Sequence, residues 1–185
     1  MSRAVIVVDV QNDFCEGGSL GVAGGNSVAE RLAGFLPRAG YDLVVATRDH
    51  HIDPGAHFSP TPDYVDSWPP HCVAGTPGAD LHPALRDYPF DAVFDKGEYA
   101  AAYSGFEGTA DGTGLAAWLT AHDVTDVDVV GIATDYCVRA TALDAAATGR
   151  PTRVLLDLTA AVAPERVDTT LADLRAAGVE VVEAD

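Results

Sequence analysis

The chain is 185 residues long and carries 28 acidic against 11 basic side chains, a formal net charge of −17. Such an excess of carboxylates argues against a nucleic-acid or anionic-membrane partner, because both are held by Lys and Arg neutralising phosphate. Apolar residues make up 48% of the chain, enough to bury a core and to exclude intrinsic disorder, and the length suits one domain.

The opening apolar run stops at Asp9, too early for a signal-peptide core, and no later stretch has the length of a membrane span. Cys15, Cys72 and Cys137 are odd in number and lack metal-ribbon spacing, so free thiols in a cytoplasmic protein are expected.

Residues 3–10 form a β-branched apolar run that reads as a strand buried on both faces. A Gly-rich loop over 17–25 follows, and Ser27 with Glu30 makes a capping-box pattern that opens a helix over 27–39. Residues 43–47 are a second strand. Residues 50–91 show no sustained periodicity and hold eight of the 11 prolines, which marks a long functional loop excursion. Residues 92–95 are a third strand, 97–113 a second loop and 114–122 a helix. A strand over 127–132, a helix over 136–148, a strand over 153–158, a helix over 164–177 and a strand over 179–182 complete the chain. The alternation predicts an α/β fold: one doubly wound domain over 1–185, with a six-stranded, mainly parallel sheet and helices on both faces.

Ligands of open parallel sheets bind beyond the carboxyl ends of the strands. Here those ends carry Asp9, Asp49, Lys96 and, just past the fourth strand, Cys137. Taken singly, each Asp could merely cap a loop, the Lys could be solvated, and the Cys could be a small buried hydrophobe. Their equivalent positions favour chemistry. In the first turn of a helix, and near an ammonium, Cys137 is expected as a thiolate. Asp9 could then move the proton in an acyl transfer with an amine or ammonia leaving.

Asp49, His51 and His57 follow a D-x-H-x5-H spacing, and His71 lies in Trp68-Pro69-Pro70-His71-Cys72. One carboxylate with two or three imidazoles suits Zn²⁺, Mn²⁺ or Fe²⁺. A solvated loop is the plain alternative, and His50, His82 and Cys72 are rival ligands. Phe14, Trp68 and Tyr103 fall in loops at the same edge, where a flat ring could stack among them or where they could simply pack on the core.

These motifs resemble the nicotinamidase (pyrazinamidase) family of the isochorismatase-like cysteine hydrolases. The resemblance rests on Val8-Asp9-Val10-Gln11-Asn12-Asp13-Phe14, Thr47-Arg48-Asp49-His50-His51, Trp68-Pro69-Pro70-His71-Cys72, Lys96-Gly97, Tyr103-Ser104-Gly105-Phe106 and Gly131-Ile132-Ala133-Thr134-Asp135-Tyr136-Cys137-Val138. It implies Cys137 as nucleophile, Asp9 as general acid/base and Lys96 as support for the thiolate. It further implies a cis Ile132-Ala133 peptide, with the N–H groups of Ala133 and Cys137 as oxyanion hole. Phe14, Trp68, Tyr103 and Ile132 would line a ring pocket, and Asp49, His51, His57 and His71 would hold one divalent ion (Zn, Mn or Fe). The implied activity is hydrolysis of nicotinamide, with pyrazinamide as a second substrate, in NAD salvage. The implied partner is a small aromatic amide, with no nucleic acid or membrane, in a monomer or homo-oligomer. Two alternatives stand beside this: a cysteine amidohydrolase of the same superfamily acting on another amide, and a receiver-like signalling domain with Asp49 as phospho-acceptor.

Overall fold

Residues 4–8 are shut off from solvent on both faces, the environment of a central strand in a parallel sheet. In the computed structural model, which describes residues 2–184, they belong to β1 (Ser2–Val8). There follow α1 (Gly25–Phe35), β2 (Leu43–Asp49), α2 (Pro83–Arg86), β3 (Ala92–Lys96), β4 (Thr109–Ala110), β5 (Thr113–Gly114) and α3 (Leu115–Ala121). The chain continues through β6 (Val124–Ile132), α4 (Arg139–Ala147), β7 (Thr152–Ala160), α5 (Val167–Ala176) and β8 (Glu180–Val182). The strands form one sheet in the order β5-β4-β3-β2-β1-β6-β7-β8, parallel from β3 to β8.

Alternate residues of β1 serve opposite layers. Val5 and Val7 pack with Val28, Ala29 and Leu32 of α1 and Leu85 of α2. Ala4, Ile6 and Val8 pack with Leu115 and Leu119 of α3, Ala142 and Ala145 of α4, and Leu171 and Leu174 of α5. Helices therefore cover both faces, as the strand–helix alternation implies. No helix among the described residues is long and apolar enough to cross a membrane.

The sheet has eight strands, not the six expected. The two additional ones are an antiparallel hairpin, β4–β5, appended to β3. Its turn, Asp111-Gly112, has φ of 49° and 76°, the left-handed pair that an Asp-Gly turn supplies. Two-residue strands are too short for apolar alternation to reveal, so the segment reads as loop.

The other boundaries shift for local reasons. Ser27 does not cap α1. Gly24, with φ 88°, is the N-cap, and the Glu16 carboxylate accepts the N–H groups of Gly24 and Asn26, each at 2.7 Å. That places a charge-complementary acid at the helix start from the preceding loop. The excursion over 50–91 is not wholly irregular, since it contains the short α2 and single turns at Gly55–His57 and Pro77–Ala79.

At the carboxyl edge β6 presses on β1 at Gly131. Its φ is 109°, and a Cβ there would lie 2.2 Å from the carbonyl oxygen of Val8. Backbone cannot swing aside as a side chain can. Gly131→Ala is therefore expected to cost roughly 3 kcal/mol or more in urea unfolding. At Gly149, φ 83° with open space around it, the same substitution is expected to cost about 1–2 kcal/mol. Equal costs at the two positions would show that the Val8 contact imposes no constraint.

Candidate active site

The chain crosses from β1 to β2 through α1 on one face and from β6 to β7 through α4 on the other. The order therefore reverses between β1 and β6, where doubly wound folds open a crevice. Asp9 leaves β1 with φ 49°, which turns its side chain out of the strand's alternation. Its Oδ1 accepts the Thr47 hydroxyl at 2.7 Å. Asp49 and Lys96 close β2 and β3 in register with one another.

Lys96 is the hub. Its Nζ lies 2.9 Å from Asp9 Oδ2, 2.5 Å from Asp49 Oδ1, 3.3 Å from the Ala102 carbonyl and 3.7 Å from Cys137 Sγ. Asp9 Oδ2, although close to the ammonium, has no donor aligned on it. All four side chains are buried, so each charge must be answered locally. Burial would lower the Lys96 pKa, but the carboxylates of Asp49 and Asp9 outweigh it and hold the group well above the usual lysine range. The carboxylates diverge. Burial would raise Asp49, yet Lys96 and the adjoining His51 and His71 carry it well below the usual range. Burial raises Asp9 despite Lys96, and the Asp49 charge adds to the rise. One acid stays ionised while the other can gain and lose a proton.

Cys137 departs from expectation in two ways. It sits not in the first turn of an α-helix but in a π-turn, Thr134–Val138, ahead of α4. The Ala133 carbonyl accepts both Tyr136 N–H at 3.1 Å and Val138 N–H at 3.0 Å, widening the turn at the residue that carries the thiol. Nor is the thiol acidified. Burial raises its pKa well above the ordinary value, and Asp9 and Asp49 add to this against the pull of Lys96. The Ile132–Ala133 peptide is cis, and the Ala133 N–H meets no acceptor among the described residues.

Across Asp49 lies a group of three buried imidazoles. One ligand atom each of His51, His57 and His71 falls within 4.8 Å of the others. His51 Nδ1 donates to the Gly97 carbonyl at 2.6 Å and His71 Nδ1 to the Pro69 carbonyl at 2.8 Å. A carbonyl only accepts, so the tautomer that leaves Nε2 for a metal ion is the one these contacts select in a neutral ring, the arrangement that outer hydrogen bonds impose on metal-binding histidines. Gly97, φ 74°, is required here, since a Cβ would lie 2.7 Å from His51 Cε1. His51 Nε2 and His57 Nδ1 are buried without a partner. Burial and the neighbouring His51 and His71 push His57 down to about 4, leaving it neutral at physiological pH. Asp49 Oδ2 adjoins His51 Nε2 at 3.4 Å and His71 Nε2 at 3.7 Å. Orphaned imidazole nitrogens beside an ionised carboxylate fit a divalent cation of N/O preference.

The rival ligands lie elsewhere in the hydrogen-bond pattern. His50 faces Glu98 at 3.1 Å. His82 caps α2 and bonds Asn26. Cys72 is buried, outside the imidazole group. Asp49, enclosed by Lys96 and these rings, is no exposed phospho-acceptor, which removes the receiver-like alternative.

Phe14, Trp68, Tyr103, Ile132 and Ala133 line one pocket with Asp49, His57, His71 and Cys137; its space is about 430 Å³ including its mouth. Trp68 Nε1 donates to the Tyr103 hydroxyl at 3.3 Å, and Glu107 holds the N–H groups of Tyr103 and Ser104. Four wall residues escaped sequence reasoning: Leu20, Val22, Tyr136 and Val162. Tyr136 stacks on Tyr103 (5.9 Å) and meets Trp68 edge-on (5.3 Å); its place beside Cys137 was the available signal. Buried Asp135 accepts the N–H groups of Val162 and Ala163 and so ties that wall to the π-turn. Gln11, quoted above only within a motif, pairs its amide with both the N–H and the C=O of Asp49.

The isochorismatase domain family model matches residues 3–185. The nicotinamidase/pyrazinamidase of Mycobacterium tuberculosis is 59% identical over 182 residues, 97% of this chain and 98% of that protein. Among solved structures, PnC1 from L. infantum in complex with nicotinate superposes with a TM-score of 0.87 at 35% identity, covering 98% of this chain and 92% of that one. Pyrazinamidase of Pyrococcus horikoshii in complex with zinc gives 0.82 at 37% identity and 99% of both chains. With the family model spanning all but the first two residues, the chain belongs to the isochorismatase domain family of hydrolases and groups within it with the nicotinamidases and pyrazinamidases.

Proposed function

We propose that this chain is a metal-dependent cysteine amidohydrolase that converts nicotinamide, and its pyrazine analogue, to the carboxylic acid and ammonia, a reaction of NAD salvage. The observation that carries the reading is that one aromatic-walled pocket is bounded both by the Cys137 thiol and by two of the three clustered imidazoles. The relatives named nicotinamidase/pyrazinamidase in Mycobacterium tuberculosis and nicotinamidase in Escherichia coli agree with it. Residues 1–185 act as a single isochorismatase-like hydrolase domain in which 50–91 is the metal-binding excursion.

Asp49, His51, His57 and His71 would hold the ion, with zinc, manganese and iron all compatible with this donor set. When bound, a divalent ion supplies a Lewis-acidic contact for a heteroaromatic ring, mainly a positioning effect. The remaining chemistry belongs to the chain. Phe14, Trp68, Tyr103 and Ile132 clasp the flat ring and set its carboxamide against Cys137. The resting thiol keeps its proton, so attack requires a base, and Asp9 is the carboxylate whose affinity for a proton is raised. Asp9 takes the thiol proton as Sγ bonds to the carboxamide carbon, with Lys96 offsetting the negative charge. The N–H groups of Ala133 and Cys137 receive the oxyanion. Asp9 then delivers the proton to the departing nitrogen, ammonia leaves, and an acyl thioester remains on Cys137. Water gives a proton to Asp9 and adds to the thioester, and collapse releases the acid as the proton returns to sulfur.

Cys137→Ala is expected to abolish ammonia release from nicotinamide, by a factor on the order of 10⁴ or more, while the folded protein retains substrate binding. Turnover near the wild-type rate would overturn the nucleophile assignment. Because Asp9 must be ionised to accept the thiol proton, kcat/KM should fall as pH drops through the raised Asp9 pKa, and this acid limb should disappear from the residual activity of Asp9→Asn. A limb that persists unchanged would assign the base elsewhere. Chelation should eliminate activity and added Zn²⁺, Mn²⁺ or Fe²⁺ restore it, and His71→Ala should weaken metal binding by about 10-fold or more in equilibrium dialysis. Full activity in protein shown to be metal-free would end the metal role.

A further inference from the structure

Asp13 is not among the residues that line the pocket, yet its carboxylate joins the two halves of the site. Oδ2 accepts the N–H of Cys72 at 2.8 Å, directly after His71 in the chain. Oδ1 accepts the N–H of Ser19 at 3.2 Å, and the Asp13 carbonyl accepts Leu20 N–H at 3.0 Å. The first bond fixes a strained position, because Cys72 has φ 46°, a left-handed conformation that a side-chain-bearing residue keeps only where its surroundings impose it. The Cys72 carbonyl in turn accepts His51 N–H at 3.0 Å. One carboxylate thus holds the stretch that bears His71, and through the Cys72 carbonyl the backbone of His51, against the loop that supplies Leu20 and Val22 to the pocket, and Phe14 follows it in sequence.

Room for that carboxylate comes from Gly78, in the turn Pro77–Ala79. A Cβ at 78 would lie 2.1 Å from Asp13 Oδ2, 2.4 Å from Cγ and 2.6 Å from Oδ1. Backbone conformation does not require this glycine; space does.

We propose that Asp13 is a positioning residue that locks the metal-ligand segment to the ring pocket, and that Gly78 is the vacancy its carboxylate fills. The inference rests on the amidohydrolase reading above. Because the clash at Gly78 is with the end of a side chain, Gly78→Ala should leave the fold intact and swing the Asp13 carboxylate off Cys72. It should therefore reproduce Asp13→Ala while Asp13 is still present.

The test titrates metal-stripped protein with Co²⁺, followed by its d–d absorption, and measures nicotinamide hydrolysis with cobalt in excess. Gly78→Ala and Asp13→Ala should each weaken Co²⁺ binding by about 10–100-fold. Each should raise KM about tenfold while kcat stays within about threefold. The double variant should fall within about threefold of the weaker single, since both remove one interaction. Asp13→Asn, which keeps an acceptor for Cys72 N–H, should recover most of the affinity. Leu32→Ala, a core truncation in α1, should lower the melting temperature and leave Co²⁺ affinity at the wild-type value. Variants that match wild type, or losses that add in the double variant, overturn the proposal. Should Gly78→Ala fail to fold, equal affinities for Asp13→Ala and Asp13→Asn do so. A wild-type protein that neither binds cobalt nor releases ammonia overturns the amidohydrolase reading itself. A wild type that does both, with variants unchanged, overturns only this inference.

Discussion

A lysine ammonium enclosed by two carboxylates is the interaction on which the site depends. Lys96, Asp9 and Asp49 are each almost wholly withdrawn from water, a situation that is costly for any one of them alone and tolerable for the three together. One ammonium cannot balance two carboxylates, and the two acids, differently surrounded, do not titrate alike. Asp49, with the shorter contact to Nζ and two imidazoles beside it, is the stabilised anion. Asp9, whose pKa burial raises and the Asp49 charge raises further, is the one that favours a proton. Burial, with the Asp9 and Asp49 charges adding to it, raises the Cys137 pKa against the pull of Lys96, so the proposed chemistry runs by transfer of its proton and not by a standing thiolate. That inverts the simple expectation of a nucleophile acidified by a helix end and a nearby lysine.

Asp49 also faces the imidazole group, so a single carboxylate touches both the Lys96 ammonium and the imidazole cradle. Its placement is correspondingly over-determined: Gln11 pairs with its peptide on both edges, Lys96 takes one carboxylate oxygen, and His51 and His71 adjoin the other. The cradle follows a related logic. Backbone carbonyls of Gly97 and Pro69 choose the tautomers of His51 and His71, and the absence of a side chain at Gly97 lets the first ring approach. Rigid outer contacts of this kind are what hold ligand atoms ready for an ion.

Much of this was legible in the residues. The β-branched runs locate the six principal strands, and their carboxyl ends point to Asp9, Asp49, Lys96 and the Cys137 turn. The D-x-H-x5-H spacing and the Trp68–Cys72 stretch drew attention to the imidazoles that now stand together. These features are local, written in a few consecutive side chains or in the period of a strand. Other features lay in the chain but spoke too softly. The Asp111-Gly112 hairpin had only two residues on either side, and the Ser27 capping pattern was a false start because Glu16, from the preceding loop, supplied the acid.

What the sequence by itself determined was the order of the six principal strands, the chemical kinds of residue at their ends, and the family. Tertiary structure alone decided that ligand atoms of three histidines come within 4.8 Å of one another, that two chemically equal carboxylates differ in proton affinity, and that Leu20, Val22, Tyr136 and Val162 wall the pocket. The physical reason is range. Propensity and periodicity act between near neighbours in the chain, whereas desolvation, Coulomb energy and steric fit depend on distances that exist only once residues 9, 49, 96 and 137 have been folded to within a few ångströms of one another.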